Sequence, residues 1–232
     1  MKQLMENWRR FLKEGIDPRI QKQIDMLLAL PDDIGVVIEE IDTWVKAVSY
    51  VRFEGDGKWK ELSAKDSAVR KDRKIIKTGL PSGGVELMKA DEDGTGPCYE
   101  GWTVIGSKAE RGWGPLLYEV ALEYASANGG GLTADRFSVS EYALAVWDKY
   151  EKRGDVDAQQ MDVNHDPEAG GSKVNKTVPQ LTPDSREDDC DQSREISKAG
   201  GDWHKQSTSK MYKKDVPEVM KALKASGRLI VV

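Results

Sequence analysis

Arg111-Gly112-Trp113-Gly114-Pro115 is the segment best suited to hold a ligand. It is followed by Leu116, Leu117, Val120, Ala121 and Tyr124 at helical spacing. Glycines let the main chain turn sharply and come close to a ligand. The first amides of a helix have no intrahelical acceptors, and the helix dipole favours negative charge there. A strand, a glycine turn and a helix in this order can therefore hold a phosphate or pyrophosphate. Pro115 withholds one amide, but a first-turn amide lacks an intrahelical partner in any case. The same turn also serves geometry alone in many strand-to-helix connections.

His165, Asp166, Asp188, Asp189, Cys190 and His204 are metal-ligating types. No Cys-x-x-Cys or His-x-x-x-His spacing organises them, so no metal site is expected. Gly170-Gly171-Ser172-Lys173 lacks the spacing and the preceding strand of a phosphate loop. Trp203, inside a polar stretch, is expected to dock onto the domain.

The elements that must position the turn follow from periodicity. Residues 2–14 place Leu4, Met5, Trp8, Phe11 and Leu12 on one helical face, and Gly15 stops that helix. Asp17-Pro18 starts a second helix to about Leu30. Strands are expected at 34–41, 43–53, 85–89 and 98–107. After the glycine turn come a helix over 116–125, the Gly129-Gly130-Gly131 stop and a short strand at 132–135. A further helix has Ala143, Val146, Trp147 and Tyr150 as its apolar positions. Ser138 with Glu141 has capping-box spacing, and Ser140 is the alternative cap. Residues 163–209 are rich in Gly, Ser, Asp, Asn and Pro and read as a long loop or partly ordered insertion. A helix to about Ala225, a Gly227 stop and a strand at 229–232 follow. The expected fold is α/β, a mixed sheet with flanking helices and a long polar insertion. Its segments are 1–14, an N-terminal amphipathic helix; 15–162, the core; 163–209, the polar insertion; and 210–232, the helix and strand completing the core.

This arrangement resembles the GNAT superfamily of N-acetyltransferases over about residues 85–160. That family's pyrophosphate loop reads Arg/Gln-x-x-Gly-x-Gly/Ala. Arg111 and Gly114 match its first and fourth positions, while Leu116 stands at the sixth. Tyr150-Glu151-Lys152-Arg153-Gly154 is similar to the family's Tyr-Glu-Lys-x-Gly-Phe, with Asp155 in place of the Phe. The resemblance implies a GNAT-like three-layer fold, acetyl-CoA as cofactor and an amine, on a small molecule or a peptide, as acceptor. It implies that the backbone from Arg111 through Gly112, Trp113 and Gly114 to Leu116 holds the pyrophosphate. The 98–107 strand would position the thioester. Tyr150 would be the acid that protonates the departing thiolate, since a phenol of pKa near 10 keeps its proton at neutral pH. Glu100 would be the base for the incoming amine. Tyr150 reads equally as a core aromatic, and Glu100 as a solvent-facing carboxylate. Asp135-Arg136 suits a substrate carboxylate or a cofactor phosphate, or is a surface ion pair. An idle copy of the fold, acting as a virion or interaction protein, is the competing reading.

The N-terminal segment ending Leu12-Lys13-Glu14 before Gly15 resembles the capsid-targeting peptides of some large tailed phages. That resemblance implies packaging in a virion and a phage capsid or host protein as partner. A helix packed on the domain accounts for the same residues. The net charge of −5 argues against generic nucleic-acid binding. No apolar run approaches the roughly 18 residues that span a bilayer, so no membrane partner is expected. The two cysteines, Cys98 and Cys190, are expected as free thiols in a reducing, cytoplasmic setting.

Overall fold

Ile34-Gly-Val-Val-Ile combines β-branched residues with burial on both faces, and it forms the strand at the centre of one half of the sheet. The computed structural model describes residues 21–63, 68–71, 74–77, 79–89, 100–163, 178–182 and 188–232. The expected helix at 2–14 with its capsid-targeting resemblance, His165, Asp166, the Gly170–Lys173 stretch and Cys98 lie outside the described residues.

In chain order the elements are α1 (Gln21–Ala29), β1 (Ile34–Glu40), β2 (Val45–Gly55), β3 (Lys58–Glu61), β4 (Ala68–Lys71) and β5 (Lys74–Lys77). Then come β6 (Gly83–Lys89), β7 (Trp102–Ala109), α2 (Gly114–Ala127), β8 (Leu132–Thr133), α3 (Glu141–Lys152) and β9 (Asp157–Gln160). The last are β10 (Asp162–Val163), β11 (Asp189–Cys190), a 3₁₀ helix (Arg194–Lys205), β12 (Lys210–Lys213), α4 (Glu218–Ala225) and β13 (Leu229–Val231). The main sheet runs β13-β1-β2-β6-β7-β8-β12-β9, with β3 branching from β2. Two of its junctions are parallel, β13 with β1 and β7 with β8, and the rest are antiparallel. The fold is mixed α/β, as expected.

Helix α2 is the central pillar. Leu116, Leu117, Val120, Ala121, Leu122 and Ala125 are all fully buried, because the helix lies on the sheet and is covered by α1 and α4. Its would-be polar face is buried too. Lys214 at the end of β12 reaches Glu119 at 2.9 Å and Glu123 at 2.7 Å. Arg153 forks between Glu119 (2.5 Å) and Asp155 (2.5 and 3.0 Å). Glu123 also accepts the amides of Val219 and Met220, which caps α4 from a neighbouring helix. Asp155, the departure from the Tyr-Glu-Lys-x-Gly-Phe pattern, thus closes an ion network. Gly131 must be glycine: its φ is +139°, and a Cβ would meet the Tyr212 carbonyl at 2.5 Å.

The described part of the polar insertion is more structured than its composition suggests. Val163, Val178, Ile196 and Trp203 form a small core of their own, and the Trp203 indole donates to the Pro179 carbonyl at 2.8 Å. Trp203 is docked, as expected. Cys190 is disulfide-bonded, which corrects the expectation of free thiols and removes the ground for expecting a reducing compartment. Iodoacetamide added to the denatured, unreduced protein is expected to leave Cys190 unlabelled, and to label it after reduction. Peptide mass spectrometry reads the difference, and full labelling before reduction would refute the bond. No helix among the described residues is long and apolar enough to cross a membrane.

Candidate functional site

β7 and β8 stay together for only two rungs, Trp102 with Leu132 and Thr103 with Thr133. A hydroxyl pair, Thr103 Oγ1 to Thr133 Oγ1 at 2.8 Å, marks the last rung. Beyond it β8 ends and β7 continues, so residues 104–109 have no strand partner on that side among the described residues. On the other side β7 is bulged: Glu86 faces Gly106 and Leu87 faces Val104, which leaves Ile105 as the extra residue. Bulges re-aim side chains and carbonyls and are enriched beside active sites.

The divergence opens a cavity of about 230 Å³. β7 supplies residues 104–107, α2 supplies Tyr118, and α3 supplies Ala143 and Trp147. Asp135 and residues 138–140 come from the β8–α3 connection. The Tyr118 hydroxyl donates to or accepts from Ser107 Oγ at 2.9 Å. Burial pushes the Tyr118 phenol above its ordinary pKa, with Asp135 adding to the effect and Ser107 opposing it. Asp135 is the one charged group on the lining. Its Oδ1 accepts the amides of Phe137 (2.6 Å) and Ser138 (3.2 Å), a turn typical of Asp that fixes the carboxylate at the strand end. Ser140 caps α3 by accepting the Ala143 amide at 3.2 Å, so the alternative cap is the one used.

The glycine turn sits at the end of the same strand. Gly112 adopts φ +94°, a left-handed conformation that the absent side chain permits. Trp113 is pinned: its indole donates to the Gly79 carbonyl at 2.9 Å, and its own carbonyl accepts the Tyr50 hydroxyl at 2.8 Å. α2 therefore starts at a fixed point. It has no side-chain cap and no acidic residue in its first turn, which leaves its positive end available. Arg111 is exposed. The Leu116 side chain is fully buried in the core, so its bulk does not enter the turn.

The other two expected site residues lie elsewhere. Tyr150 is buried among Trp147 and Tyr212, with ring centroids 5.8 and 5.7 Å away, and the Arg153 guanidinium lies 5.5 Å from its ring. Its hydroxyl is buried with no hydrogen-bond partner among the described residues, and it is not on the cavity lining. Burial, then Glu119, raises its pKa well above the ordinary value. Glu100 is exposed ahead of β7, where its carbonyl accepts the Gly130 amide at 2.6 Å. That is the opposite end of the strand from Ser107, roughly 20 Å away at the usual strand rise.

Sequence reasoning passed over Tyr118, Ser107 and Glu86. The Glu86 carboxylate lies 3.3 Å from where a Cβ would stand on Gly106, a lining residue. One signal was present for Tyr118, a tyrosine one turn into the helix that follows the glycine turn. Among the metal-ligating candidates, Asp188 and Asp189 come together with Asp162, their carboxylate oxygens within 4.8 Å of one another. The Asp162 oxygens already accept the amides of Val163, Leu181 and Thr182, which makes this residue an anchor for the insertion. Compared with protein-family models, curated proteins and solved structures, the chain matches none of them.

Proposed function

We propose that the chain is an acetyl-CoA-dependent N-acetyltransferase of the GNAT type, with its reaction centre in the cavity between β7 and α3. One observation carries this reading. A bulged strand leaves its parallel neighbour after two rungs and lines a cavity, and an uncapped helix N-terminus follows the strand's end, so an unpaired strand edge, a cavity and an anion-attracting helix end succeed one another along one stretch of chain. Such an arrangement suits a long ligand with a pyrophosphate at one end and amides along its length. The backbone from Arg111 to Leu116 would hold the pyrophosphate, with the amides of Gly114 and Leu116 free of intrahelical acceptors, and the free edge at residues 104–107 would hold the amide-bearing arm. Bound acetyl-CoA supplies an activated thioester.

The chain's own groups then have defined work. Asp135 attracts the ammonium form of an acceptor and accepts its proton. Tyr118, kept protonated by burial, offers a proton to the sulfur side. Trp147 and Val104 exclude water from one wall. Tyr150 supports the Trp147 ring from behind.

Millimolar acetyl-CoA is expected to raise the melting temperature, because a ligand that binds only the native state stabilises it by mass action. At one hundred times its Kd the gain is about 2.7 kcal/mol. No shift at millimolar cofactor would sink the enzyme reading and leave the same fold as an interaction protein.

A further inference from the structure

Arg136 is the residue after Asp135 on the β8–α3 connection. Both of its terminal guanidinium nitrogens are buried, and neither has a hydrogen-bond partner among the described residues. A guanidinium is donor-only, so nothing within itself relieves this. Its neighbour Asp135 makes no hydrogen bond to those nitrogens: the Oδ1 of that carboxylate accepts the amides of Phe137 and Ser138, and the two charges interact through space alone. Burial lowers the Arg136 pKa to about 10, with Asp191 and then Asp135 acting the other way, so the group is still a cation at neutral pH. A buried cation without hydrogen bonds is destabilising, and breaking even an adequate pair is strongly so. Residues 194 and 195 cover it: the Arg194 amide donates to the Arg136 carbonyl at 3.2 Å, the Arg194 guanidinium lies 5.2 Å from the Phe137 ring, and Glu195 accepts the Val139 amide at 3.2 Å. Val139 and Ser138 in turn wall the cavity.

We propose that Arg136, which lies beside the cavity and off its lining, is an anion-recognition residue, receiving an oxyanion of a ligand when the Arg194 and Glu195 contacts to the β8–α3 connection open. Planar, donor-only guanidinium groups match carboxylates and phosphates through paired hydrogen bonds. The cavity carboxylate of Asp135 beside the buried cation of Arg136 is complementary to an acceptor that bears both an amine and a carboxylate. The assignment of that acceptor rests on the acetyltransferase reading, whereas anion binding by Arg136 does not.

Arg136→Gln tests the proposal without cofactor. In anion-free buffer the variant is expected to melt about 2–4 °C above wild type, since it removes a buried charge whose terminal nitrogens make no hydrogen bonds. Inorganic phosphate or acetate, at fixed ionic strength, is expected to raise the melting temperature of wild type and not of the variant. Equal shifts in the two proteins, or a variant less stable in every buffer, would overturn the proposal. Two matched pairs then identify the source of the oxyanion. Calorimetry is expected to show lysine binding wild type about tenfold more tightly than cadaverine, which lacks only the carboxylate, and R136Q is expected to lose that preference. A preference for coenzyme A over its 3′-dephospho form, lost in R136Q, would keep the anion site but overturn the acceptor assignment. No preference within either pair overturns recognition by Arg136. Failure of the acetyltransferase reading looks different: coenzyme A itself then gives no response in either protein.

Discussion

Lys214→Met is expected to cost about 3–5 kcal/mol of stability, the range for breaking a buried ion pair. At this chain length that is a fall in melting temperature of roughly 10 °C. The Lys214 side chain is 1% exposed, and Glu119 and Glu123 are fully buried. Methionine would fill much of the space but leave Glu123 without its cation and Glu119 with Arg153 alone. Glu123→Gln added to Lys214→Met is expected to recover part of the loss, because it removes the stranded charge. A glutamine oxygen can still accept the α4 amides. Urea denaturation with an unchanged m-value measures both variants. Equal stability of Lys214→Met and wild type would refute the role given to the network.

The same lysine sets an alkaline limit. Although burial pushes its pKa down, Glu119 and Glu123 outweigh that and raise it from 10.5 to about 12. The folded pKa lies above the unfolded one. Its contribution is therefore fully present below pH 10.5 and is lost as pH rises toward 12. At the acid end Asp155 behaves oppositely. Burial raises its pKa, but the Arg153 hydrogen bonds prevail and hold it below 3.8. Its contribution is present above that value and is lost as pH falls through the depressed folded pKa.

The second large effect concerns turnover. On the proposed acetyltransferase reading, Tyr118→Phe is expected to lower the rate of acetyl transfer by about 10²-fold or more, the usual contribution of a positioned acid. Acetyl-CoA binding should stay within about twofold of wild type, because no contact to the helix end is removed. The lost bond to Ser107 costs about 1 kcal/mol of stability, too little to unfold the chain. Tyr150→Phe is expected to transfer at near the wild-type rate, since its hydroxyl lies off the cavity lining. Single-turnover kinetics on both variants decides between the two tyrosines. A normal Tyr118→Phe beside an inactive Tyr150→Phe would return the acid to the position that the Tyr-Glu-Lys-x-Gly resemblance implies.

These two experiments fall on residues of different legibility. The strand at β7, the helix α2 and the Gly227 stop were readable because local periodicity and backbone chemistry produce them. The bulge at Ile105 was not, because it exists only in register with β6. Glu119 and Glu123 sit where an amphipathic helix shows its polar side. Nothing local announces that α4 and Lys214 will cover that side. Asp155 looked like a missing phenylalanine until Arg153 was seen to hold it. Tyr118 was overlooked because its partner, Ser107, lies across a gap that forms only where β8 stops. Composition leaves the insertion as a long loop or partly ordered for a related reason: a few apolar side chains around Trp203 suffice for a small core when Asp162 gathers the backbone.

The pairing of β13 with β1 has a consequence for how the chain acquires its shape during synthesis. Val36 is held by Leu229, so one flank of β1 stays open until residues 229–231, far along the chain, have left the ribosome. Throughout that interval the Val36-Val37-Ile38 edge presents unpaired amides and carbonyls on an apolar strand, the kind of edge that recruits other chains. Nascent chains stalled before Arg228 should therefore depend on chaperones to stay monomeric, and emergence of residues 229–231 should end that dependence.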